Sequence, residues 1–126
     1  MVDTAKQIVY WREGAEEALG AARDLAVKHR WGFCLFLAHL ALEKLLKAHV
    51  CKQTQDLAPR THNLLYLARL ADLGLTPEQE NTLADMNGFC REGRYPDEDA
   101  RPLSAETAGR HLPRVEELRE WLLQTL

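Results

Sequence analysis

Three short stretches of the chain hold residue types that could do chemistry together. In Ala41-Leu42-Glu43-Lys44-Leu45-Leu46-Lys47-Ala48, Glu43 and Lys47 stand one helical turn apart, and His39 stands one turn before Glu43. In a helix all three share a face. The plain reading of that spacing is a solvated stripe with an ordinary Glu-Lys pair. His39 and Glu43 are also two metal-donor types, but with no third donor nearby the spacing predicts no metal site. The second stretch, Pro59-Arg60-Thr61-His62-Asn63-Leu64, places His62 in the first turn of a helix. There the macrodipole disfavours the charged ring, so a neutral, structural imidazole bonded to a neighbour is expected. The third, Arg91-Glu92-Gly93-Arg94-Tyr95-Pro96-Asp97, opens an irregular loop with two arginines and an aromatic ring. Guanidinium forks grip phosphates at two points and a tyrosine ring stacks a base, which suits a nucleotide or RNA. The competing reading pairs Arg94 with Asp97 or Glu98 and uses Tyr95 only to anchor the loop.

The usual marks of a self-contained enzyme are absent. There is no G-x-S-x-G elbow, no Cys-His nucleophile motif, no Walker loop and no glycine-rich phosphate fingerprint. No catalytic residue is assigned, and no motif calls for a cofactor. A length of 126 residues fits one domain, and 46% hydrophobic with 28% charged residues fits a globular rather than a disordered chain. A net charge of -3 excludes a surface that is basic throughout, the common footprint of a nucleic-acid binder. It leaves room for a local patch, to which Lys44, Lys47, Lys52, Arg60, Arg91 and Arg94 would contribute most, and such a patch attracts phosphate despite the overall charge. Cys34, Cys51 and Cys90 are odd in number and widely spaced, as expected for reduced thiols in the cytoplasm. Met1 to Tyr10 does not read as a secretory leader, and the apolar run Trp31 to Leu42 is too short for the roughly 20 residues a bilayer needs. A cytoplasmic protein with no membrane contact is expected.

The elements that must position these residues are read from start and stop signals. Asp3 or Thr4 caps a first helix reaching about His29, with Ile8, Trp11 or Ala15, Leu19, Ala22 and Leu25 or Ala26 at helical spacing. A second, from Trp31 to about Lys52, carries Phe33, Phe36, Leu37, Leu40, Ala41, Leu45 and Val50 as a broad stripe and is predicted to be the centre of the fold. Thr61 caps a short third helix, His62 to Leu73, ended by Gly74 in a left-handed position. Thr76-Pro77-Glu78-Gln79 combines an N-cap, a proline at the first helical position and a capping-box glutamine, starting a fourth helix that runs to about Asn87. Gly93 to Leu103 is the one long irregular segment. Ser104 caps a fifth helix to Thr125, in which Pro113 predicts a kink. The class is all-α, an antiparallel up-and-down bundle of about five helices in a single domain spanning residues 1–126.

Taken in order, the Glu43 helix, the Thr61-His62-Asn63-Leu64 helix start and the Arg94-Tyr95-Pro96-Asp97 loop resemble the HEPN domain family over nearly the whole chain. The resemblance implies a helical bundle, commonly dimeric, of the kind found beside minimal nucleotidyltransferases in prokaryotes. Nuclease members of the family cleave RNA with an Arg followed after four to six residues by His. Here Arg91 and Arg94 lead into Tyr95, Pro96 and an acidic run, and the next histidine is His111. The resemblance therefore implies a binding or regulatory module with the arginine position retained at Arg91 or Arg94, and the charge of the local patch makes Arg91, Arg94, Tyr95, Lys44, Lys47, Glu43 and His62 the expected nucleotide- or RNA-binding residues. The module would form a homodimer and act with a separately encoded nucleotidyltransferase in a toxin-antitoxin-like pair. A ribonuclease with a non-standard site and a purely structural dimer are the alternatives.

Overall fold

A computed structural model describes residues 2–90 and 103–126. Five helices occupy them: α1 (Thr4–Val27), α2 (Trp31–Thr54), α3 (Leu64–Leu70), α4 (Pro77–Asn87) and α5 (Ala105–Thr125), with no strand among the described residues. The starts follow the local chemistry. Asp3 accepts from the Lys6 amide, Ser104 from the Thr107 amide, and Thr76 with Gln79 closes the full capping box. Each such cap satisfies amides that no helical carbonyl can reach.

Helix α2 is the axis of the molecule, touching all four other helices. Leu35, Ala38, Leu42, Leu45, Leu46 and Val50 are buried along it. The broad stripe expected there is broader still, except at its first member, because Phe33 lies 60% exposed near the start of the helix. A three-residue link turns α1 back on α2 with His29 in the left-handed region (φ 58°). The two helices then run antiparallel, Ala15, Ala18, Leu19 and Ala22 bringing α1 close. Gly14 lies beside Lys44, where an ideal Cβ would come 3.0 Å from Lys44 Cδ.

Helix α5 lies along α2, where His49 Nε2 donates to the Leu122 carbonyl (2.8 Å) and Lys52 Nζ to that of Leu126 (2.8 Å). It meets α1 through two arginine-carboxylate pairs, Arg119 with Glu16 and Arg23 with Glu116. The helix continues through Pro113.

Two boundaries differ from the sequence reading, both at α3. The helix begins at Leu64, capped by Asn63 rather than Thr61, so His62 precedes the helix and its macrodipole. Thr61 instead accepts the Asn63 amide (3.2 Å), one step earlier in the same turn. At the far end the left-handed residue is Asp72 (φ 53°), two positions before Gly74, because the helix closes a turn early.

Candidate functional site

The return of the chain from α2 to α3 lays His62 against the middle of α2. Its Nδ1 donates to Glu43 Oε1 at 2.8 Å, while Lys47 Nζ donates to Glu43 Oε2 at 3.1 Å. His39, one turn before Glu43, donates through Nε2 to the His62 backbone carbonyl at 3.1 Å. The strip expected to be solvated is thus buried: Glu43 is 3% exposed, Lys47 6% and His39 0%. Burying an ionised pair is costly unless each charge is met. Here the carboxylate is met by the ammonium and the imidazole, and Lys47 also lies over the Trp11 ring, 5.1 Å from its centroid.

The hydrogen bonds decide the tautomers. A carbonyl only accepts, so His39 carries its proton on Nε2. Its Nδ1 then lies buried, without a hydrogen-bond partner and 3.9 Å from Glu43 Oε1. Desolvation by burial pushes the His39 pKa below its ordinary value, against a smaller opposing pull from Glu43. Glu43 likewise accepts from His62, which puts the proton on Nδ1 and leaves a lone pair on Nε2 of the neutral ring. The His62 side chain is 70% exposed. A carboxylate holding one face of an imidazole whose other nitrogen meets solvent is an arrangement suited to holding or moving a proton.

His62 and Glu43 open into a cleft of about 700 Å3, walled by Phe36 and Leu40 and edged by Asn63, Asn87 and Cys90. Of the residues singled out in the sequence, Glu43, Lys47 and His62 come together, and Lys44 sits apart on the α1 side of α2 beside Gly14. Lys47 uses its ammonium group inside the fold, on Glu43, whereas Lys52 is exposed and donates to the Thr125 and Leu126 carbonyls at the end of α5. Arg60 is exposed. Arg91, Arg94 and Tyr95 lie outside the described residues, but Cys90, at the cleft edge, directly precedes Arg91.

Three features escaped the sequence reading. Asn63 and Asn87 line the cleft and bond to each other. His111, distant in sequence, packs edge-on against Phe89 (5.1 Å between centroids), and its pKa is lowered, first by burial and then by Arg114. An Arg and a His with five residues between them do stand in the chain, at Arg23 and His29. Arg23 is bound by both its Nε and Nη2 to Glu116 (2.9 and 2.7 Å), and His29 stacks on Trp31. Both therefore have structural partners. Of the cysteines, Cys34 and Cys51 are buried, and desolvation raises both thiol pKa values, which disfavours the reactive thiolate. No cluster of three or more His, Cys, Asp or Glu side chains among the described residues could hold a metal. No described helix is long and apolar enough to cross a membrane.

The HEPN domain model matches residues 8–126. The chain belongs to the HEPN domain family. Comparison with curated proteins returned no match. Among solved structures, this HEPN domain is similar to TT1696 from Thermus thermophilus, with a TM-score of 0.79 at 19% identity over 95% of this chain and 98% of that one. Likeness at that identity establishes the shared bundle and nothing finer.

Proposed function

We propose that this HEPN domain binds a nucleotide or single-stranded RNA in the cleft between α2, the start of α3 and the end of α4. It would act as a homodimer with a separately encoded nucleotidyltransferase, in a toxin-antitoxin-like pair. One observation carries the binding reading: His62 stands at the mouth of a cleft large enough for a nucleotide, its tautomer set by the buried Glu43. The Phe36 and Leu40 wall offers apolar surface for a base. Exposed Arg60, two residues from His62, would meet phosphate together with Arg91 and Arg94, which follow Cys90. The nucleotidyltransferase partner rests on the company that family members keep. Self-association is supported by Val27 and Phe33, 81% and 60% exposed on either side of the α1–α2 turn.

The test is a titration of labelled single-stranded RNA and of ATP at two salt concentrations. Phosphate contacts make affinity fall with salt. Arg94→Ala and Arg60→Ala should each weaken binding by about 1–3 kcal/mol, the range for a charge-assisted hydrogen bond. Binding that is absent, or indifferent to salt and to both variants, contradicts the reading and favours a structural dimer. Light scattering that shows only 14.4 kDa species at micromolar concentration contradicts the dimer.

A second reading is favoured by the Glu43–His62 contact alone: a ribonuclease in which His62 takes a proton from a ribose 2′-hydroxyl. RNA cleavage by the pure chain that disappears in His62→Ala would establish it. Cleavage that is absent or weak fits the binding module.

A further inference from the structure

Asn63 and Asn87 line the same cleft but take no part in the Glu43 network. Their amide oxygens are already claimed by the backbone. Asn63 Oδ1 accepts from the amides of Leu65 (3.1 Å) and Tyr66 (3.3 Å), and Asn87 Oδ1 accepts from the amide of Leu64 (2.9 Å). Asn87 Nδ2 in turn donates to Asn63 Oδ1 (3.2 Å). A backbone N–H only donates, so these contacts fix which end of each side-chain amide is oxygen and which is nitrogen. What remains for a ligand is of one polarity. Both hydrogens of Asn63 Nδ2 and one of Asn87 Nδ2 are donors that no acceptor among the described residues uses. His62 supplies the opposite polarity, because with Nδ1–H donated to Glu43 the neutral form of the ring accepts at Nε2.

Resting on the binding reading above, we propose that this cleft selects nucleobases with a lactam edge, a carbonyl beside a ring N–H, which in RNA means uracil and guanine. The Asn63 and Asn87 amides donate to the base carbonyl, His62 Nε2 accepts from the ring N–H, and the ring packs on Phe36 and Leu40. Cytosine and adenine present an amino group and a bare ring nitrogen at the same edge, so donor would face donor and acceptor would face acceptor. An unpaired polar group in a contact of this kind costs more than the pair contributes. The apolar wall cannot separate uracil from cytosine, which have the same ring size. The locked amides and imidazole can.

The test compares labelled oligo(U) and oligo(C) of equal length at one salt concentration, on the wild-type chain and on Asn63→Ser. Serine keeps an oxygen to cap α3 and removes both amide N–H donors, leaving only the hydroxyl of a shorter side chain. Thermal melts by circular dichroism report whether the variant is folded. The wild type should bind oligo(U) about tenfold more tightly than oligo(C), the scale of a paired base-edge contact. In Asn63→Ser the two should come to within about twofold, mainly through loss of oligo(U) affinity. Equal affinities in the wild type, or a preference unchanged in the variant, overturn the selectivity and leave the binding reading standing. Failure of both oligonucleotides to bind overturns both.

Discussion

Two clefts of nearly equal size are lined by the described residues, and they are built in opposite ways. The one at His62 measures about 700 Å3 and has a buried carboxylate in its lining, with hydrogen-bond partners supplied from α2 and the turn before α3. The groove between α4 and α5 measures about 710 Å3 and is ringed by Glu78, Glu117 and Glu120, with Arg114 and Trp121. Arg114 is already paired with Asp85 at 2.9 Å. Surface charges of that kind are hydrated and screened, and they hold no fixed geometry. Volume does not separate the two places. Burial of ionisable groups with assigned partners does, because such an arrangement is tolerated only where the surrounding fold holds every member in place.

The comparison is broken most directly at Glu43. Glu43→Ala leaves the Lys47 ammonium buried without its counter-charge and releases His62, and should lower unfolding free energy by about 3–5 kcal/mol in urea titrations. Glu117→Ala, at the groove, should stay within about 0.5 kcal/mol. Equal costs would erase the distinction drawn between the two clefts.

A smaller effect is expected from Asn87→Ala, which removes the acceptor of the Leu64 amide and one partner of Asn63. The same unfolding measurement should register about 1–3 kcal/mol, against a few tenths for exposed Asn81→Ala at the groove.

Acid should also act on the buried side. Burial lowers the pKa of His39, His49 and His111 from 6.5, so each ring stays neutral in the fold at pH values where the unfolded chain is protonated. Unfolding then takes up protons, and stability, full above pH 6.5, should fall as pH drops below it toward the lowered folded-state values. His39→Gln should flatten part of that slope in urea titrations between pH 7.5 and 5.5, and an unchanged slope would remove His39 from the account.

The smallest effect belongs to the exposed Arg23–Glu116 pair that joins α1 to α5. Arg23→Ala should cost about 0.2–1 kcal/mol and less in high salt. A loss comparable to that of Glu43→Ala would mean that exposed pairs organise this fold as strongly as buried ones.

What could be read from the sequence follows the range of the forces involved. The caps at Asp3, Thr76 and Ser104 depend on residues within one turn, and the helices begin where those caps predict. The start of α3 was misread because Thr61 and Asn63 are both able to cap. The residue that caps in the fold, Asn63, also receives a bond from Asn87, 24 positions away. Glu43 and His62 were each recognised as chemically able, but their contact spans 19 residues and a return loop. The spacing of His39, Glu43 and Lys47 looks the same whether the face meets water or another part of the chain, so their burial was not legible. Asn87 carried a weak signal, a polar residue ending α4 just before Gly88, and nothing local tied it to Asn63.

The most direct test of the central claim, that the buried polar cleft rather than the equal-sized groove is the ligand site, is an amide and side-chain chemical-shift map of the labelled domain titrated with single-stranded oligonucleotide. Shifts should concentrate on His62, Asn63, Asn87 and Cys90, with Glu78, Glu117 and Trp121 little changed. Shifts centred on Trp121 and the α4–α5 groove, with His62 unmoved, would contradict it.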